Sequence, residues 1–253
     1  MIVVGAVMYS LLLLSKPSET SEMWSVKNYH DGNQLKGRLT SCRMGEVMSL
    51  EWNLERISRA GFIGILRGDD ADALIERGLA LAQVGVRVLE VTLDSTDAAR
   101  VFSTLKEQLD DEVMLGVGTV MHPPTALPSV AEWGADFALS PVNPEGFIQL
   151  ANEFDILAVP GAATPGELWK AHTAGAMLVK LYPAATNWSP EMLANLPRPL
   201  RQVHTLPTGG VKPDDVITWL DAGAFACGLG GRLTVKEADF LSSEILARRG
   251  VMR

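Results

Sequence analysis

From Glu51 onward the chain alternates between two hydrophobic patterns. Short apolar runs fall at 62–66, 86–93, 113–117, 137–139, 156–159, 177–181, about 202–206 and 224–229. They are apolar on both faces, as strands of a buried parallel sheet must be. Longer segments between them place apolar residues at helical spacing. Residues 71–84 carry Leu74, Ile75, Leu79 and Ala82; residues 98–109 carry Val101, Phe102, Leu105 and Leu109. Further helices are predicted over 124–133, 144–152, 165–174, 190–196, 213–222 and 236–248. Pro124, Pro144, Pro165, Pro190 and Pro213 stand near helix starts, where a missing N–H costs nothing. Gly85, Gly134, Gly175 and Gly223 stand just past helix ends, where a left-handed cap wants glycine.

Eight strands, each followed by a helix, recur at about 20 to 27 residues, the size of one βα unit. The pattern predicts an α/β chain with a (β/α)8 TIM barrel over residues 48–253, a single domain. A doubly wound sheet shows the same alternation. It normally carries a glycine-rich loop after its first strand, where this chain reads Arg67-Gly68-Asp69-Asp70.

The first 47 residues fit neither pattern. Residues 2–14 are apolar but too few for a spanning helix, which needs roughly 20. No Lys or Arg precedes Lys16 and no cleavage site is evident, against a signal peptide. Residues 15–47 are polar and without period, so 1–47 is expected to be an irregular N-terminal extension. Translation starting at Met44 or Met48 is one account of it and a genuine disordered extension the other; N-terminal sequencing of the native protein separates them.

Composition narrows the function. The 253 residues hold 22 Lys plus Arg against 30 Asp plus Glu, a formal charge of −8. With 47% hydrophobic and 21% charged residues the chain is an ordinary globular one, not a disordered one. The acidic balance argues against a nucleic-acid partner, and the pattern offers no membrane partner. Two cysteines, Cys42 and Cys227, lie far apart without His or Cys at metal spacing. Neither a disulfide framework nor a metal site is expected, and the reduced cytoplasm is the natural compartment.

In a barrel of this type the C-terminal strand ends share one site. Arg67, Glu90, Thr92, Thr119, Ser140, Pro160, Lys180 and two glycine-rich turns stand there. Lys180 follows Met177-Leu178-Val179, so it either snorkels outward or points inside. Burial lowers an amine pKa, and a neutral amine can form a Schiff base with a carbonyl. A lysine paired with a core carboxylate is the other reading. Glu90 lies within Leu89-Glu90-Val91 and shares a face with Thr92. It could exchange protons with a lysine adduct, or form a salt bridge that holds the core. Gly209-Gly210 and Gly230-Gly231 follow the last two strands, where this fold commonly holds phosphate on backbone N–H groups. Ordinary tight turns would also explain them.

Several phrases carry a resemblance over residues 57–233. They are Gly64-Ile65-Leu66-Arg67-Gly68, Gly85 through Leu93, Gly116-Val117-Gly118-Thr119-Val120 and Val159-Pro160-Gly161 with Thr164. Val179-Lys180-Leu181-Tyr182-Pro183 and Pro207-Thr208-Gly209-Gly210-Val211 complete the set. In this order and spacing the chain resembles the 2-keto-3-deoxy-6-phosphogluconate / phosphogalactonate aldolase family. The resemblance implies a class I aldolase on a (β/α)8 barrel, with Lys180 as Schiff-base nucleophile and Glu90 as general acid/base. It implies that Arg67 and Thr119 hold substrate oxygens, that Pro160 and Thr164 lie near the substrate, and that Gly209, Gly210, Gly230 and Gly231 line a phosphate site. It implies no cofactor, a phosphorylated 2-keto acid as substrate, and a homotrimer. Two positions depart from the pattern. Asp94 stands where the phosphogluconate branch often has arginine, which looks more like the phosphogalactonate branch. Arg232 follows Gly231 where serine is frequent, and could supply a phosphate contact instead. A 4-hydroxy-2-oxoglutarate aldolase would use the same Lys180 and Glu90; a phosphate-binding barrel isomerase would need neither.

Overall fold

The computed structural model describes residues 42–251 other than residue 232, with side chains over 50–248. Most of the expected extension, and Arg232, lie outside the described residues. The described residues open with a helix that the periodicity did not reveal, α1 (Cys42–Ala60), whose first turns take up residues 42–47.

The described strands run in the expected order. They are β1 (Phe62–Leu66), β2 (Val88–Thr92), β3 (Met114–Gly118), β4 (Phe137–Leu139), β5 (Leu157–Val159), β6 (Gly161–Ala162), β7 (Val179–Leu181), β8 (Thr205–Pro207) and β9 (Cys227–Leu229). Between them stand α2 (Ala71–Gln83), α3 (Ala98–Gln108), α4 (Pro123–Glu132), α5 (Phe147–Glu153) and α6 (Pro165–Thr173). Three short helices follow β7: α7 (Ala184–Asn187), α8 (Pro190–Ala194) and α9 (Arg198–Arg201). A 3₁₀ turn (Pro213–Asp215) leads into α10 (Val216–Asp221), and α11 (Val235–Val251) ends the described chain. Gly175 and Gly223, each at φ +102°, make the expected left-handed turns after α6 and α10.

All strand pairs are parallel, and the fold is α/β on a curled sheet. The ladders form a half-barrel of six strands in the order β5-β4-β3-β2-β1-β9, and a second sheet in the order β6-β7-β8. This differs from the eight strands expected in one closed sheet. The fifth expected run, 156–159, ends as β5, and Pro160, which has no N–H for the ladder, parts it from a further short strand, β6, that the pattern did not predict. The Pro160 carbonyl accepts from the Lys180 N–H at 2.8 Å instead. At the other seam Thr208 bridges Gly228, and the Phe225 N–H donates to the Thr205 carbonyl at 2.9 Å.

Alternation along the strands sorts the core into two clusters. Phe62, Leu66, Leu89, Val91, Leu115, Val117, Val179, Leu181 and Leu229 face outward onto the helices. Ile63, Val88, Met114, Phe137, Leu157, Leu178, Leu206 and Ala226 face the concave side, drawn from both sheets. Leu50 and Ile57 of α1, with Leu54, pack into this inner cluster. The Asn53 amide fixes the helix by donating to the Asp136 carbonyl at 3.1 Å. Ile63, Val88, Met114, Phe137 and Leu157 of the inner cluster sit at or next to the beginnings of their strands, while Leu139 and Val159 end β4 and β5; α1 packs at the N-terminal end of the concave face.

Ile57 is fully buried at that end. Ile57→Ala is expected to lower unfolding stability by about 2–5 kcal/mol, read from the denaturant midpoint in urea. An unchanged midpoint would show that α1 is not part of the cooperative core.

Candidate active site

The same alternation sets the site. On β2, Leu89 and Val91 are taken by the helix side, which leaves Glu90 and Thr92 on the concave face beside Val88. On β7, Val179 and Leu181 face the helices, and Lys180 must point inward. Both ionisable groups are enclosed: Lys180 is 4% exposed and Glu90 1%. The neighbouring strand β3 makes room by lacking side chains. A Cβ on Gly118 would fall 1.6 Å from the Glu90 Oε1, so the carboxyl occupies the place of a side chain there.

Burial governs both titrations. It lowers the Lys180 pKa below an ordinary amine, and Glu90 opposes this by favouring the ammonium form. Burial likewise raises the Glu90 pKa, against the pull of Lys180 and then Arg67. Among the described residues neither carboxyl oxygen of Glu90 has a hydrogen-bond partner. The Lys180 Nζ lies 5.3 Å from the centroid of the Tyr182 ring. The result is a buried amine disposed to be neutral beside a buried carboxyl disposed to hold a proton.

Arg67 leaves the end of β1 and reaches across the strand ends. Its Nη2 donates to the Thr119 Oγ1 at 2.7 Å and its Nε to the Thr92 Oγ1 at 3.4 Å. The Asp94 carboxylate pairs with the same Nε at 3.4 Å. Thr92 and Ser95 hydroxyls lie 2.9 Å apart, and the Ser95 Oγ accepts from the Gly68 N–H at 3.3 Å. Thr119 holds φ +61°, an uncommon state for a β-branched residue and one that sets its hydroxyl toward Arg67. Arg67 is exposed while Glu90 and Lys180 are not, which grades the site from a dry floor to a cationic rim.

The glycine turns also come together. Gly209 and Gly210, at φ +89° and +84°, fold the end of β8 over Tyr182 and Ala185. A cavity of about 340 Å³ is lined by Gly210, Lys212, Gly230 and Gly231 with apolar neighbours. Gly209 stands beside it rather than in its wall. Pro160 is buried next to Lys180 through the backbone bond already given. Thr164 is exposed and caps α6: its Oγ1 accepts from the Glu167 N–H at 3.3 Å, and the Glu167 carboxylate accepts from the Thr164 N–H at 3.1 Å. That reciprocal box gives Thr164 a local structural job, which the Thr-x-x-Glu spacing carries in the sequence. Asp94, one of the two departures from the family pattern, pairs with Arg67 here; Ser95 and Lys212 are polar groups of the site to which the sequence pattern gives no role. Cys227 is buried and its thiol pKa is pushed up, so it is inert and faces the helices.

The family model for "KDPG and KHG aldolase" matches residues 54–248. The chain belongs to the KDPG and KHG aldolase family. Over 152 residues it is 36% identical to the KHG/KDPG aldolase of Escherichia coli K12, covering 60% of this chain and 70% of the relative. It is 28% identical to the 2-dehydro-3-deoxy-6-phosphogalactonate aldolase of the same organism, over 68% of this chain and 83% of that one. Among solved structures, a KDPG aldolase from Legionella pneumophila, with pyruvate captured as a covalent carbinolamine, superposes with a TM-score of 0.63. It is 25% identical and the match covers 77% of this chain and 97% of that one.

Glu90→Gln keeps the shape of the side chain and removes the charge that favours ammonium at Lys180. The pH midpoint for labelling Lys180 with an amine-selective reagent, followed by peptide mass spectrometry, is expected lower than in the parent. A midpoint that stays or rises would mean the carboxyl does not act on the amine.

Proposed function

We propose that this member of the aldolase family is a class I enzyme that cleaves a 2-keto-3-deoxy-6-phospho sugar acid into pyruvate and glyceraldehyde 3-phosphate. The observation that carries the reading is the enclosed pair on the concave face: an amine whose burial favours its neutral form beside a carboxyl whose burial favours its protonated form. The printed names of the relatives cover both the gluconate and galactonate substrates, and the reading takes the substrate as either epimer at C4.

Neutral Lys180 attacks the C2 carbonyl and forms a carbinolamine, its extra proton passing to the new alkoxide. Glu90 protonates the C2 hydroxyl, water leaves, and an iminium remains. The Glu90 carboxylate then takes the C4 hydroxyl proton. The C3–C4 electron pair moves into the iminium, giving an enamine and free glyceraldehyde 3-phosphate. The enamine is protonated at C3 by Glu90, and water hydrolyses the resulting iminium to pyruvate and the free amine. The nitrogen cation is the electron sink throughout, and no cofactor enters these steps. Arg67, oriented by Thr119 and Thr92, holds the C1 carboxylate at the rim, with Pro160 and Thr164 bordering the substrate. The phosphate lies in the cavity of Gly210, Gly230 and Gly231, with Gly209 shaping the turn beside it and Lys212 supplying positive charge.

Two finer points belong to the same reading. The two sheets act as one eight-stranded barrel, β5 and β6 being halves of a single strand interrupted at Pro160. The working assembly is a homotrimer, for which light scattering is expected to give about three times the 27.3 kDa chain mass; a monomer mass would refute it. An isomerase has no use for an enclosed amine. A 4-hydroxy-2-oxoglutarate substrate would use the same pair, and equal rates with and without the substrate phosphate would favour it.

Incubation with pyruvate followed by borohydride is expected to leave one mass adduct, on the Lys180 peptide. Lys180→Met is expected to lose the adduct and on the order of 10⁴-fold or more in turnover. A folded parent protein that forms no adduct would overturn the Schiff-base assignment.

A further inference from the structure

Arg77 lies on α2, outside the strand ends, and has no part in the steps above. Its guanidinium donates to three backbone carbonyls of the loop after β9: Nη1 to Gly231 at 3.1 Å, and Nη2 to Gly230 at 3.2 Å and Leu233 at 3.0 Å. Among the described residues it has no carboxylate partner, and it is half-buried. A partly desolvated cation whose two terminal nitrogens meet carbonyl oxygens, and whose buried Nε has no partner among the described residues, is an unusual use of arginine, whose planar fork normally meets a carboxylate or phosphate.

The loop it holds has two faces. Gly230 and Gly231 line the anion cavity and Arg77 does not, so the guanidinium stands behind the loop. The peptide joining the two glycines is trans, with C=O and N–H pointing in opposite directions. When the Gly230 carbonyl turns back to Arg77, the Gly231 N–H is turned away from Arg77, to the other side of the loop. Neither glycine has a left-handed φ, and a Cβ on either would meet nothing within 4 Å. Packing and backbone shape therefore do not demand glycine at these two places, and the space before them is free for a ligand to approach the backbone. Beyond the loop, Leu233 leads into the Thr234–Glu237 box that caps α11, where the Glu237 carboxylate accepts from the Thr234 N–H at 2.8 Å. The loop is thus tied at one end by its helix cap and along its back by Arg77.

We propose that Arg77 is a positioning residue for phosphate recognition: it draws the carbonyls of the Gly230–Gly231 turn backward so that the backbone presents N–H, and not C=O, to the substrate's phosphate. The inference rests on the reading of this cavity as the phosphate site. A loop free to flip a single peptide would set a carbonyl dipole against the anion. The bond to Gly230 opposes the flip of that peptide, beside the Leu233 N–H, which donates to the same carbonyl at 3.0 Å; the bonds to Gly231 and Leu233 hold the following peptides, and the uncompensated charge behind the loop adds an attractive field.

The test compares two substrates that differ only in the phosphate: the 2-keto-3-deoxy-6-phospho acid and the same acid without phosphate. In Arg77→Met the KM for the phosphorylated acid is expected to rise about tenfold or more with kcat little changed, while kcat/KM for the unphosphorylated acid stays within about twofold. Inorganic phosphate, as a competitive inhibitor, is expected to weaken by the same factor. Arg77→Lys keeps a charge but offers a single ammonium in place of the planar fork. It is expected to resemble Arg77→Met, and it carries the test if the methionine variant does not fold. Full recovery in Arg77→Lys would overturn positioning in favour of charge alone. Equal loss on both substrates, or no loss on either, would also overturn the proposal. A parent enzyme that does not distinguish the two substrates would instead refute the phosphate site itself, an outcome visible before any variant is made.

Discussion

An amine and a carboxyl group taken out of water together lose hydration that their mutual attraction only partly returns. The concave face of this sheet holds such a pair, Glu90 and Lys180, and the surrounding architecture is organised around keeping it there. The helices take the outward residues on either side of each group, so neither can turn away without exposing Leu89 and Val91, or Val179 and Leu181. The pair does not act as a structural salt bridge with every lone pair answered, because the oxygens of Glu90 have no hydrogen-bond partner among the described residues. The protein tolerates the resulting cost in a core that is otherwise apolar at the beginnings of its strands. A stability term is thereby exchanged for reactivity: desolvation moves both proton affinities toward the same range, where one proton can pass between the groups and a substrate.

Space is the second constraint. Large side chains on the concave face stand opposite positions that have none. Phe137 fills the space before Gly116, and the Glu90 carboxyl fills the space before Gly118. A methyl group at either position would displace its neighbour, and at Gly118 the neighbour is half of the reactive pair. The glycines of the third strand thus fix where the carboxyl sits as firmly as the residues that flank it in its own strand.

The order of strands and helices was legible because the two periods of hydrophobicity alternate cleanly, and β1 and β4 fall where the apolar runs place them. Lys180 and Glu90 were legible for a simple reason: a charged residue inside an apolar run needs an explanation. Other features were not. The helix α1 covers an end of the sheet and its apolar positions are diluted by polar ones, so periodicity missed it. Pro160 was visible as a proline after an apolar run, but its effect on the ladder depends on which neighbour needs the N–H. The resemblance places Thr164 near the substrate, and its Thr-x-x-Glu spacing also describes the helix cap it forms. Asp94 meets Arg67 across two strand ends, and Arg77 meets a loop more than 150 positions away. Contacts of that kind are made by the closing of the fold and leave no local pattern.

The placement of α1 has a consequence for traffic. With Leu50, Leu54 and Ile57 seated against the strand beginnings, the described residues close that end over the enclosed amine and leave the strand ends as its approach. On the proposed Schiff-base reading, the part of the substrate bonded to Lys180 is the deepest part, and whatever it is joined to lies between it and the opening. The aldehyde must depart before pyruvate can follow, and in the condensing direction pyruvate must enter before the aldehyde. The order of events is thus a property of a pocket with one door, set by a helix that touches no reacting atom.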